Sequence, residues 1–241
     1  MSKSTNQIKA AVVRGKGGPF GIETLSLEGP RRDEVLVKVV ATGMCHTDMV
    51  ARDKVYPVPH PIVLGHEGAG IVEGVGADVV KVAPGDSVVL TFLTCGRCKP
   101  CRLGRMAHCE KTFPLCFGGA RLDGSTATLD DHGEKVHDHF FGQSSFATYA
   151  LANERNVVKV SSDVPIERIG PLGCSIQTGA GAGNECAEYA TGYKFRLLRR
   201  GRSRMFGDHG SAGCWSNNHR CHRHRALTSR TGKGTGRDAR Y

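Results

Sequence analysis

Short apolar runs separated by turn residues dominate the first two thirds of the chain. Val and Ile recur in Ile8 to Val13, Val35 to Ala41, Ala69 to Val75, Ser87 to Leu90, Phe146 to Leu151 and Val157 to Val160. β-Branched side chains of this kind are stiff at χ1 and pack well on a pleated surface. Glu28-Gly29-Pro30 and Ala83-Pro84-Gly85-Asp86 stand between the runs as turns. Many short strands at this spacing predict a mainly β domain, folded as a small barrel or sandwich. Further on, Ser161-Ser162-Asp163 is a helix-capping pattern with Pro165 in the first turn, which predicts a helix from Ile166 to Ile176.

After Gly183 the pattern ends. Asn184 to Tyr241 shows neither a 3.6-residue nor a two-residue apolar period, and is crowded with Arg, Gly, His and Ser. It holds 13 of the 33 Lys and Arg but only four of the 23 Asp and Glu. The basic character therefore belongs to this tail, and residues 1–183 are close to neutral. Such a composition cannot bury enough apolar surface to order itself. The expected organisation is a folded domain over 1–183 and a disordered basic tail over 184–241.

The opening Met1 to Ala10 has no apolar run that could serve as a signal peptide, and no stretch approaches the roughly 18 apolar residues of a membrane span. A cytoplasmic location without a membrane partner is the expectation. In a reducing compartment, the ten cysteines are metal ligands or free thiols rather than disulfides.

Four of those cysteines, Cys95, Cys98, Cys101 and Cys109, have the spacing CxxCxxCx7C. Each two-residue gap returns the next sulfur to one side of a tight turn, and Cys109 closes the shell. Four thiolates with no open position describe a structural zinc site. Metal there would contribute on the order of 10 kcal/mol to ordering the loop. Elsewhere Cys45 follows a strand end, His66 follows Pro61 to Gly65, and Cys174 lies in Gly173-Cys174-Ser175. Singly, each reads first as a packed cysteine or a surface histidine. Together, two Cys and one His are the ligand set of a zinc site that keeps a fourth position open.

Gly65-His66-Glu67-Gly68-Ala69-Gly70, five residues, Gly76, two residues and Val79 match the zinc signature of the medium-chain alcohol dehydrogenases. Cys45-His46-Thr47-Asp48, the four-cysteine loop, Phe140 to Ala147 and Gly170 to Cys174 follow in that family's order. Over residues 8–182 the chain resembles this family, and within it the aryl (benzyl) alcohol dehydrogenases. The resemblance implies a GroES-like barrel as catalytic domain, with one catalytic and one structural Zn2+.

Carried over by position, the resemblance makes Cys45, His66 and Cys174 the catalytic zinc ligands. Glu67 becomes a carboxylate able to approach the metal during ligand exchange, and Asp48 the acceptor that orients His66. Thr47 receives the alcohol proton, His46 contacts the cofactor, and Phe92, Phe140 and Phe141 line the substrate pocket. Three aromatic rings favour a flat apolar alcohol, and ordinary core packing is the alternative reading of each. One departure is Val50, which stands where some members carry a proton-relaying histidine. The implied reaction is oxidation of a primary, aromatic alcohol to its aldehyde, with hydride passing to NAD(P). The implied partners are a small-molecule alcohol or aldehyde and, in the family, a second copy of the chain. Glutathione-linked formaldehyde and polyol dehydrogenases are the alternatives within the family.

The family's nicotinamide-binding Rossmann domain should follow Cys174, yet the GxGxxG fingerprint is absent. The Rossmann α/β domain is thus expected to be absent or scrambled, and the chain an inactive fragment. Read one base later, codons for Arg199 to Met205 permit Gly-Ala-Gly-Ala-Val-Gly, and those for Asn218 to Ala226 permit an apolar strand ending in Glu. A single-base insertion or deletion near Gly183 accounts for both. The competing reading makes Arg199, Arg200 and Arg202, with His219, His222 and His224, a nucleic-acid-binding tail. The tail lacks the interleaved aromatics expected of one. Sequencing of codons 180 to 190 in independent clones is expected to show the one-base change; an intact frame with no dinucleotide domain one base away would contradict it.

Overall fold

The computed structural model describes residues 5–188. Ten strands and four α-helices are present among them. The first sheet has the order β4-β1-β2-β7-β8. Its strands are β1 (Thr5–Val13), β2 (Gly21–Glu28), β4 (Ile62–Val63), β7 (Thr128–Leu129) and β8 (Lys135–Val136). The second has the order β10-β6-β5-β3-β9. It contains β3 (Glu34–Gly43), β5 (Glu67–Val75), β6 (Ser87–Leu90), β9 (Tyr149–Asn153) and β10 (Val157–Lys159). Every pairing between these strands is antiparallel. The helices are α1 (His46–Arg52), α2 (Lys99–Arg102), α3 (Thr112–Phe117) and α4 (Ser175–Glu188).

The segment leading into β9 joins the two sheets. Ala147 bridges Ala10, the Ala11 N–H donates to the Phe146 carbonyl at 2.8 Å, and the Thr148 N–H donates to the Lys9 carbonyl at 2.8 Å. Two residues later the same chain pairs with β3, from Lys38↔Tyr149 to Glu34↔Asn153. A strand that changes sheet in this way rolls the sheets into a barrel.

Side-chain alternation explains the interior. Ile8, Ala10 and Val12 on β1 face inward with Leu25 and Leu27 on β2, and they meet Leu36 and Leu151 from the other sheet. Strand β3 is buried on both faces: Leu36 joins that cluster, whereas Val35 and Val37 pack with Val72, Val88, Leu90, Ala150 and Val157. Each such Val or Leu contributes roughly 1.5–3 kcal/mol by leaving water.

The helix expected over residues 166–176 does not form. Two 3-10 turns, Ile166–Arg168 and Gly170–Gly173, replace it, and α4 begins only at Ser175. Pro165 precedes the first turn instead of sitting inside it. The cause is packing against the sheet: a Cβ on Gly170 would lie 2.3 Å from the Glu67 carbonyl oxygen, and one on Gly173 1.9 Å from that of Leu90. A regular helix with side chains could not lie that close. Helix α4 then carries the backbone through position 183 to Glu188. Of the expected basic tail, residues 189–241 lie outside the described residues.

The glycines of the signature are demanded by close approach. Gly65 has φ +92°, and a Cβ there would meet the Phe146 nitrogen at 2.5 Å. Gly70 pairs with Val39 at a bulge in β3, where a Cβ would stand 2.1 Å from the Lys38 carbonyl oxygen. Gly70→Ala is therefore expected to lower stability by about 2–3 kcal/mol. An unchanged urea midpoint would contradict this packing.

Candidate metal centres

Three chain segments meet at one end of the second sheet. Strand β3 ends at Gly43, and Cys45 precedes the first residue of α1. The Cys45 N–H donates to Asp48 Oδ2 at 2.9 Å. The other oxygen of that carboxylate accepts from the Gly65 N–H at 3.1 Å and pairs with His66 Nδ1 at 3.0 Å. Asp48 and the His66 ring are both completely buried. One carboxylate thus fixes the cysteine, the turn before β5 and the imidazole, and directs Nε2 away from itself.

The third segment brings Cys174, which follows the 3-10 turn Gly170–Gly173. Its successor Ser175 donates its N–H to Glu67 Oε1 at 3.3 Å. The ligand atoms of Cys45, His66, Glu67 and Cys174 all lie within 4.8 Å of one another. Thr47 Oγ1 is 3.6 Å from Cys45 Sγ, and His46 is exposed at the start of α1.

Whether these residues suit a metal can be judged from what they leave unsatisfied. His66 Nε2 is buried and has no hydrogen-bond partner, a state that costs about 1–3 kcal/mol in an apolar interior. Two sulfurs and a carboxylate surround it. The Cys174 sulfur and then His66 draw the Cys45 thiol down to about 3, while the same Cys45 sulfur and burial push Cys174 well above the usual thiol range. Burial opposes protonation of His66, but Asp48 and Cys45 outweigh it and raise the ring to about 9. Donors crowded this way favour a positive charge between them, and a Cys2His set with a carboxylate nearby fits zinc.

The four-cysteine loop forms a second cluster, with Cys95, Cys98, Cys101 and Cys109 sulfurs within 4.8 Å of one another. Cys95 Sγ and Cys101 Sγ are 4.0 Å apart; bonds of about 2.3 Å in a tetrahedron require roughly 3.8 Å. Backbone N–H groups of Cys98 and Cys95 donate at 3.3 Å to Cys95 Sγ and Cys109 Sγ respectively, and that of Lys111 donates to Cys109 Sγ at 3.4 Å. Backbone donors bring Cys95 down to about 6, whereas burial pushes Cys101 up to about 12. Four crowded sulfurs cannot all ionise without a cation.

Aromatic rings continue outward from His66. Phe141 stacks on the imidazole at 4.4 Å and 23°, and Phe140 meets it edge-on at 5.6 Å. Phe117 contacts both, at 5.1 and 5.9 Å, and in turn touches Tyr56 and Phe113 at 5.0 and 5.3 Å. Phe140 is fully buried among Val13, Ala51, Ile62 and Leu64, whereas Phe92 and Phe141 are half-buried. Phe113 and Phe117 were not anticipated; their i,i+4 spacing on the six-residue α3 was the available signal.

Sequence reasoning also missed a buried ionic group outside the two ligand clusters. Arg121 binds Glu34 through Nε at 2.6 Å and Nη2 at 3.1 Å, and His139 pairs with Asp138. Although burial favours the neutral acid, His139 and Arg121 hold Glu34 at about 2. The group ties the loop carrying Arg121 to β3. Among the described residues no helix is long and apolar enough to cross a membrane.

Residues 31–162 of this barrel match the alcohol dehydrogenase GroES-like domain, and the chain belongs to that family. It is 54% identical over 175 residues to geraniol dehydrogenase of Castellaniella defragrans, covering 72% of this chain and 46% of that protein. The crystal structure of benzyl alcohol dehydrogenase from Acinetobacter calcoaceticus is similar with a TM-score of 0.71 and 54% identity, over 75% of this chain and 48% of that one. A zinc-binding domain protein of the alcohol dehydrogenases from Burkholderia ambifaria reaches a TM-score of 0.83 at 53% identity, over 87% and 56%. The chain spans about half the length of these relatives.

If the four-cysteine cluster is held by a metal, removing it should free a loop rich in cleavage sites, including the exposed Arg97 and Arg102. Trypsin is expected to cut between Cys95 and Cys109 at least about tenfold faster after chelation than in zinc-loaded protein. Equal rates would contradict the assignment.

Proposed function

We propose that residues 1–183 are the catalytic module of a zinc- and nicotinamide-dependent alcohol dehydrogenase that oxidises primary, apolar or aromatic alcohols to aldehydes. The observation that carries this reading is the convergence of Cys45, His66, Glu67 and Cys174 within 4.8 Å around an unpartnered, buried His66 Nε2. One zinc ion would be held by Cys45, His66 and Cys174, and a second, purely structural one by Cys95, Cys98, Cys101 and Cys109. When bound, the first supplies the Lewis acidity that lowers the pKa of an alcohol hydroxyl toward neutrality.

The chain's own residues do the rest. Asp48 accepts from His66 Nδ1 and keeps the Nε2 lone pair facing the cluster. Thr47, 3.6 Å from the Cys45 sulfur, takes up the alcohol proton through its hydroxyl. Val50 cannot relay that proton, so it passes from Thr47 to water. Glu67, anchored by the Ser175 N–H, stands beside the ligands as a carboxylate available when they exchange. Phe141 and Phe92, with Phe117 behind them, exclude water and offer flat apolar walls, which disfavours a polyol. The names of two relatives, for geraniol and for benzyl alcohol, support an unsaturated apolar substrate.

The hydride acceptor is a nicotinamide, and we assign His46, exposed beside Cys45, to contact with such a cofactor's phosphates. Among the described residues there is no parallel sheet with a glycine-rich turn to hold a dinucleotide. We assign no part in the reaction to residues 184–241. Residues 5–188 by themselves are then expected to bind alcohol without turning it over.

Replacing zinc by Co2+ in the full chain gives a direct reading of the open position. Benzyl alcohol and geraniol are expected to shift the cobalt ligand-field bands at concentrations at least about tenfold lower than ethanol does, in line with the greater apolar area they bury. No shift with any alcohol, or a preference for ethanol, would contradict the proposal.

A further inference from the structure

The strands that carry the metal-facing residues part company just where order matters most. Pairing between β5 and β6 runs from Ile71↔Ser87 to Ala69↔Val89 and then stops. Beyond it, the Gly68 N–H, the His66 carbonyl and the Thr91 carbonyl no longer face a neighbouring strand. One side chain bonds all three, and the Thr91 carbonyl also accepts from Asn156 Nδ2 at 3.1 Å. The Gly68 N–H donates to Gln143 Oε1 at 3.1 Å, and Gln143 Nε2 donates to the His66 carbonyl at 3.0 Å and to the Thr91 carbonyl at 3.2 Å.

Gln143 is 1% exposed, and its amide stands in for the missing rung of the sheet. An amide has both the acceptor and the two donors that such a gap requires. The connection does not end at Thr91. The Thr91 hydroxyl donates to the Gly173 carbonyl at 2.9 Å, immediately before Cys174. One continuous set of hydrogen bonds therefore runs from the backbone of His66, through Gln143 and Thr91, to the residue that presents Cys174. Asp48 ties His66 to Cys45 from the opposite side.

We propose that Gln143 is a positioning residue for the Cys45–His66–Cys174 centre: its side-chain amide sets the spacing between the His66 and Cys174 segments, and so the affinity of that centre for metal. It makes no hydrogen bond to any of the three ligand atoms and takes no part in proton or hydride movement. This inference rests on the reading of that cluster as a metal centre.

The test uses the full chain titrated with Co2+, whose thiolate charge-transfer and ligand-field bands distinguish a four-sulfur site from one with two sulfurs and nitrogen. The wild-type chain should bind two equivalents. Gln143→Met keeps the volume but removes the donors and the acceptor. It should weaken the two-sulfur site by about 10–100-fold, the usual range for partners that orient ligands, and leave the four-sulfur site at wild-type affinity. An unchanged two-sulfur site, or an equal loss at both, would overturn the proposal. Should Gln143→Met fail to fold, Gln143→Glu decides: it keeps the acceptor for Gly68 and loses the amide donors. A loss confined to the same site supports the proposal, and any other result overturns it. Wild-type protein that binds one equivalent, in the four-sulfur spectrum alone, would instead sink the reading of the metal centre itself.

Discussion

A single buried carboxylate organises the functional end of this molecule. Asp48 has no exposed surface, and three donors converge on it: the Cys45 N–H, the Gly65 N–H and His66 Nδ1. These belong to two segments far apart in sequence, the link between β3 and α1 and the β4–β5 turn. A buried charge is tolerated only when such donors replace water. Removing it would leave three desolvated N–H groups, each costing about 1–3 kcal/mol. The direction of the imidazole, and everything that meets it, follows from this arrangement.

Around that carboxylate the frame is built for close backbone approach. A Cβ on Gly43 would collide with Glu67 Oε2 at 2.0 Å, which is why the strand end beside Cys45 is glycine. The segment that stacks Phe141 on His66 places His139, Phe141 and Ser144 at φ between 51° and 57°. Left-handed conformations cost non-glycine residues roughly 1–2 kcal/mol each. Ser144 holds the segment down: its Oγ accepts from the Phe140 N–H at 2.9 Å and donates to the Val63 carbonyl at 2.6 Å. The backbone thus sustains local cost in order to set an aromatic plane against the imidazole.

Much of this was legible in the chain. The β class could be read from the runs of Val and Ile and the four-cysteine loop from its spacing, whereas Cys45, His66 and Cys174 were brought together by the resemblance to the family's signature. Strands β1, β3, β5, β6 and β10 carry enough Val, Ile and Leu to announce themselves. Strand β2 does not: in Gly21–Glu28 only Leu25 and Leu27 are buried, while Ile22 is 73% exposed. Strands β4, β7 and β8 have two residues each, too few for any period. The helix expected from Ile166 failed because capping signals report local preference, whereas Gly170 and Gly173 are pressed onto the strands by tertiary packing. Gln143 was invisible for a related reason. Its partners are backbone groups 52 to 77 positions away, and nothing in the composition of its own neighbourhood points to them.

On the function proposed above, this barrel grips two metal ions through different donor sets. X-ray absorption at the zinc edge of the full, zinc-loaded chain tests it most directly. Averaged over a four-sulfur site and a site of two sulfurs with lighter donors, the account predicts about three sulfurs per zinc at about 2.3 Å, with a nitrogen or oxygen shell at about 2.0–2.1 Å. Four sulfurs per zinc with no lighter shell, or no bound zinc at all, would contradict it.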